Sequence, residues 1–162
     1  MRFTQASRTL CATVGILLMG PTAWLSAQAD SSLGTWNVNL AKSTYDPGPA
    51  PTSETRLYEP FEKAGLKATF TVIAADGSRA TPGFAAHYDG KDYKYTGSAD
   101  FDSIALKRID SNTVESTLKK SGKVVQTVTA VVSEGGKVRT LTQTGINAKG
   151  QNVKNVIVLE KQ

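Results

Sequence analysis

Leu66-Lys67-Ala68-Thr69-Phe70-Thr71-Val72 alternates apolar and polar residues without a break, and Asp76-Gly77 follows four residues later. Successive side chains of a strand point to opposite faces, so this pattern gives one buried and one solvated face. A helix would need apolar residues at three- and four-residue spacing, and after Ala29 no long window sustains that. Asp and Gly tolerate positive φ and close tight turns. The stretch therefore predicts a strand over Leu66 to Ala75 that reverses at Asp76-Gly77.

The same pattern extends in both directions. Upstream, strands are expected over Gly34 to Leu40, with Trp36, Val38 and Leu40 on one face, and over Thr55 to Phe61. Between them, Ala41 to Ser53 holds Pro47, Gly48, Pro49 and Pro51. Proline lacks the N–H that a sheet ladder uses, so this stretch reads as an extended Pro-rich loop. Downstream, Arg79 to Tyr88 is a strand weakened by Pro82-Gly83, and Asp89-Gly90 turns it into Lys91 to Thr96. Strands follow over Ser103 to Ile109, Thr113 to Lys119, Lys123 to Ser133, Lys137 to Ile146 and Asn152 to Glu160. Short connections make consecutive strands antiparallel. The expected fold is all-β, an antiparallel up-and-down barrel of about eight to ten strands, because closure removes the exposed edges of a long meander. A barrel of about ten strands is wide enough to leave room inside.

The first 29 residues read as a signal peptide. Arg2 and Arg8 supply the positive start, Leu10 to Leu25 an apolar stretch broken by Gly15, Gly20 and Pro21, and Ala27-Gln28-Ala29 a small-x-small cleavage pattern before Asp30. The apolar run is short for a membrane span. Cleavage would leave 133 of 162 residues as a single domain over 30–162, without Cys11, and with Trp36 and His87 as its one tryptophan and one histidine. The product is expected in the periplasm or outside the cell, with no membrane span, as a monomer. It has no disulfide to hold it, and a chain of this size stands on core burial alone.

Charge and residue inventory exclude several functions. Losing Arg2 and Arg8 takes the formal charge from +5 to +3, too little to mark a nucleic-acid partner. No Gly-x-Ser-x-Gly, phosphate-cradling Gly loop or metal-protease helix motif occurs. His87 has no Cys or second His for a metal site, and reads as a histidine flanking a surface turn. The turn carboxylates Asp76, Asp89, Asp92, Asp100, Asp102 and Asp110 lack a calcium-loop pattern. No catalytic residue, metal or cofactor is therefore expected, and the chain reads as a non-enzyme.

Five residues are candidates for ligand contact. Tyr93 and Tyr95 share a face of one strand, and Tyr88 lies across the Asp89-Gly90 turn from them. Phenols of this kind offer a cavity mouth an apolar body and a polar tip. Arg108 shares parity with Ile104 and Leu106, and Arg139 with Leu141, which directs both guanidinium groups inward.

Gly34-Thr35-Trp36 at the start of the first strand, the closing run Val156-Ile157-Val158-Leu159-Glu160-Lys161, and the series of Gly-containing turns between them resemble the calycins, the group of lipocalins and fatty-acid-binding proteins. The chain resembles still more closely the small exported bacterial lipocalin-like proteins with a Gly-Thr-Trp start and a Pro-rich loop after the first strand. The resemblance implies a barrel whose Trp36 plugs one end, a structural role, and a cavity for a small hydrophobic or amphipathic ligand. Where fatty-acid-binding proteins place two helices, this chain has the Pro-rich loop. Where their last strand carries an Arg-x-Tyr pair, it has Ile157 and Leu159. The expected function is an exported binding barrel. The alternative is an envelope interaction or structural module that works through the Pro-rich loop.

Overall fold

A computed structural model describes residues 30–162, so the expected signal segment and Cys11 lie outside the described residues. The strands are β1 (Gly34–Val38), β2 (Ser53–Phe61), β3 (Gly65–Ile73), β4 (Arg79–Ala80), β5 (Gly83–His87), β6 (Tyr93–Thr96), β7 (Ser103–Arg108), β8 (Thr113–Lys120), β9 (Lys123–Val132), β10 (Val138–Ile146) and β11 (Asn152–Lys161). One 3₁₀ turn, Leu40–Lys42, follows β1, with Asn39 as its N-cap. No helix among the described residues is long and apolar enough to cross a membrane.

Consecutive strands pair antiparallel, except that β4 and β5 both pair with β3, and β1 pairs with β11, which closes the ring. β4 and β5 keep one register against β3: Val72 faces Ala80 and Thr69 faces Gly83. They are one strand interrupted at Thr81-Pro82. Pro82 gives no N–H, yet its carbonyl still accepts from Phe70 N–H at 2.9 Å, so the ladder survives the interruption. Counted so, the wall has ten strands and the barrel is the closed up-and-down meander that the alternation and turns predict.

The barrel has a lower end, where β2 turns into β3 and β7 into β8, and an upper end, where the Pro-rich loop lies. Trp36 plugs the lower end. It is 0% exposed, and its indole N–H donates to the Ser32 carbonyl at 2.9 Å. Asp30 to Leu33 therefore crosses under the barrel and is tied to Trp36 from beneath. Above it the core is lined by the inward alternates of every strand, among them Leu66, Ala68, Leu106, Val114, Ala130 and Leu159.

A bulge alters the alternation in β9. Gln126 faces Leu118, but Val124 faces Lys119, so Val125 is the extra residue. Gln126 keeps the inward parity of Val128, Ala130 and Val132, while beyond the bulge Val124 turns out and is 59% exposed. Gly145 of β10 lies opposite this bulge with φ +143°, and a Cβ there would collide with the Val125 carbonyl oxygen and the Gln126 Cα. Gly145→Ala is therefore expected to destabilise by about 1–3 kcal/mol, read as a lower urea midpoint, because the backbone conformation and the close approach both require glycine.

Candidate functional site

A cavity of about 160 Å³ lies inside the barrel. One wall is aromatic. Rings from neighbouring strands follow one another in steps of 5.9 Å from Tyr58 to Phe70, 6.2 Å to Phe84, 5.8 Å to Tyr95 and 4.6 Å to Phe101. Three of the four contacts are edge-to-face, the geometry that the ring quadrupole favours. Opposite stand aliphatic residues of β7 to β11, including Ile104, Leu118, Val128 and Ile157. The ring is wide enough to enclose more, but these five aromatic side chains fill much of it.

The cavity also holds charge. Glu54 and Arg56, two residues apart on β2, both point inward, and Arg56 Nε donates to Glu54 Oε1 at 2.6 Å. The Arg56 guanidinium lies 4.8 Å from the centre of the Phe70 ring. Burial alone would lower the Arg56 pKa, but Glu54 and Tyr58 together outweigh it and hold the value above the ordinary one. Arg139, 4% exposed, lies over the Tyr58 ring at 4.4 Å. Its Nε and Nη1 are buried and have no hydrogen-bond partner among the described residues.

At the upper end a space of about 340 Å³ separates the barrel from the Pro-rich loop, whose Tyr45, Pro47, Pro49 and Pro51 line it. The loop is fastened to β11: Thr44 bridges Val156, and Asp46 N–H donates to Asn155 Oδ1 at 2.9 Å. Gln126 and Gln143 bond to each other below it, and Asn155 Nδ2 donates to Gln143 Oε1 at 3.2 Å. Burial, with Glu54 nearby, pushes the Tyr45 phenol up to about 12, so it is neutral at ordinary pH.

At the lower end a groove of about 800 Å³ opens outward between the β2–β3 hairpin, the chain after His87, and Asp30. His87 Nε2 sits 3.1 Å from Glu62 Oε2, and its ring is 5.4 Å from Phe61. The Asp30 carboxylate accepts from Ser32 N–H at 3.0 Å, from the Tyr88 hydroxyl at 2.8 Å and from Arg108. Arg108 also stacks on Tyr88, 4.0 Å from the ring centre. Burial raises the Asp30 pKa, but these three donors outweigh it and hold the carboxyl below its ordinary value. A folded-state value below the unfolded one stabilises fully above the unfolded value of about 3.9, and the contribution fades as pH falls through the folded value. Asp30→Asn is thus expected to cost about 1–3 kcal/mol near neutral pH and much less near pH 3, as checked by urea unfolding at both.

The sequence candidates divide between these places. Tyr95 and Arg139 line the internal cavity. Tyr88 and Arg108 border the lower groove and bind Asp30. Tyr93 is half-buried and donates to Asp89 Oδ2 at 3.1 Å. Glu54, Arg56, Tyr58 and Gln126 were not among the candidates. The signal for the first three is present in Glu54-Thr55-Arg56-Leu57-Tyr58: opposite charges two residues apart share a strand face, and here that face is the inner one, leaving Leu57 outside. Gln126 shares its parity with Val128, Ala130 and Val132 on β9, so the ordinary alternation of that strand already directs it inward.

No protein-family model matches the chain, and no curated protein matches it. Among solved structures it is similar to a redesigned β-barrel bound to DFHBI, at 14% identity over 81% of this chain and 95% of that one, with a TM-score of 0.40. It is also similar to the amine-binding protein of Rhodnius prolixus in complex with tryptamine, at 12% identity over 94% of this chain and 71% of that one, with a TM-score of 0.44. No group of three His, Cys, Asp or Glu residues able to hold a metal occurs among the described residues.

Proposed function

We propose that this protein is an exported, non-catalytic binding barrel for a small amphipathic molecule about the size of one aromatic ring. The observation that carries the reading is the cavity of about 160 Å³ inside the ring of strands, aromatic on one side and aliphatic on the other. Sites for drug-sized ligands run to roughly 300–1,000 Å³, whereas a dry apolar cavity of about 150 Å³ is known to accept benzene. The magnitude favours a single ring or a short chain over a long acyl tail. Burial of such a body contributes about 25 cal/mol per Å² of apolar surface. The Pro-rich loop over the upper mouth fits the same purpose as a cover that admits or retains the ligand, and export to the periplasm or beyond follows from the signal-like start.

The test is a thermal-shift and calorimetric screen of the purified protein against single-ring aromatics, six-carbon chains and long-chain lipids. Saturable stoichiometric binding is expected for the small compounds. Val128→Phe, which adds volume at the cavity wall, should abolish it while the circular dichroism of the barrel is retained. Binding unchanged by Val128→Phe, or binding of long-chain lipids alone, overturns the reading.

A further inference from the structure

Resting on that reading, we infer that the ligand is a small monocarboxylate and that Arg139 receives its carboxylate. Three guanidinium or carboxylate side chains face the cavity: Glu54, Arg56 and Arg139. The first two neutralise each other at 2.6 Å. Arg139 is left over. It belongs to no ion pair among the described residues, and it is 4% exposed. A buried cation normally has a hydrogen-bonded counter-charge, because leaving water without one is costly. The Tyr58 ring beneath it offsets part of that cost, but only through one face of the guanidinium.

The free donors lie in the plane of the group. A guanidinium grips a carboxylate along either of two edges, one containing Nε and the other Nη1. Both atoms are buried and unbonded, so each edge keeps an unused donor. An acceptor-only, planar, singly charged group satisfies both the charge and the geometry. The rest of the ligand is constrained by its neighbours. Arg139 covers Tyr58, and Tyr58 begins the series of rings through Phe70, Phe84 and Tyr95. A carboxylate at Arg139 would therefore lead its attached body along an aromatic wall within a volume of about 160 Å³. Benzoate and hexanoate are both of this class, one as a ring and one as a chain.

The experiment is isothermal titration of the purified protein with benzoate, hexanoate and the uncharged benzyl alcohol, repeated on Arg139→Met and Arg139→Lys. At least tenfold tighter binding of one or both acids than of the alcohol is expected, lost in Arg139→Met and partly kept in Arg139→Lys. The tighter acid also decides between ring and chain. Arg139→Met is further expected to unfold at a higher urea concentration than the parent in the absence of ligand. Equal binding of benzoate and benzyl alcohol overturns the carboxylate inference and leaves the cavity reading intact. Acid binding that survives Arg139→Met overturns the assignment to Arg139. Failure of Arg139→Met to fold does so as well, since the charge would then be compensated in the empty barrel. Absence of binding by all three compounds removes the inference together with the cavity reading.

Discussion

Trp36→Ala is expected to destabilise the barrel by about 3–5 kcal/mol, read as a fall in the urea midpoint followed by circular dichroism. Two losses combine. The fully buried indole leaves a void that the surrounding strands cannot collapse into, because β1 is fixed on both sides by β2 and β11. The Ser32 carbonyl also loses its donor, in a residue only 3% exposed. Trp36→Phe refills most of the void and restores no donor, so about 1–3 kcal/mol of the effect should remain. A full-sized loss in the phenylalanine variant would mean that the hydrogen bond to the crossing segment matters more than the volume. A cost under about 1 kcal/mol for the alanine variant would mean that the plug is not part of the cooperative core. The lower end would then be open to ligand, and the cavity would have a second entrance.

The ring of strands was legible because each strand carries its own local signal. Asp76-Gly77 and Asp89-Gly90 both lie where the chain reverses, with Gly77 at φ +82° and Gly90 at φ +76°. Alternation in Leu66 to Val72 matches the inward set Leu66, Ala68 and Phe70. Even Pro82 weakens its strand as expected, splitting β4 from β5 without shifting their register. What alternation cannot supply is how far a side chain reaches once it points inward. Ile104, Leu106 and Arg108 do share a face, but the strand tilts across the barrel, and Arg108 ends at the lower mouth against Asp30 and not in the cavity. The hairpin phenols separate for the same reason: Tyr95 reaches the interior, while Tyr88 and Tyr93 find carboxylates near the lower end.

Cavity volume was beyond the sequence on other grounds. Strand number sets the width of a barrel, but the space left depends on which rotamers fill it. Five aromatic side chains on β2, β3, β5, β6 and the loop before β7 converge on one side, and no pairwise spacing in the chain announces that they will meet. The charged residues of β2 are a further instance. Their parity is plain, but an apolar Leu57 between them invites the opposite assignment, with Leu57 inside. The structure puts Glu54 and Arg56 inside because each meets the other, and because Tyr58, of the same parity, brings a large apolar surface with them.

Glu54 and Arg139 should respond to neutralisation with opposite signs. Glu54→Gln leaves Arg56 buried beside a neutral amide, with its charge no longer matched, and is expected to cost about 3–5 kcal/mol in urea unfolding. The Phe70 face at 4.8 Å remains, but a cation–π contact contributes only about 1–2 kcal/mol and does not replace the carboxylate. Replacing both partners, Glu54→Met with Arg56→Met, removes the pair without leaving a charge behind, so it should be nearly neutral or stabilising. Nonadditivity of that size between the single and double variants would show that the pair is a unit. Its consequence reaches the binding site: only if Glu54 is fully engaged by Arg56 is Arg139 the unmatched cation of the interior. A cost below about 1 kcal/mol for Glu54→Gln would mean that Arg56 finds its compensation elsewhere, and Glu54 would then be free to serve Arg139 in place of a ligand.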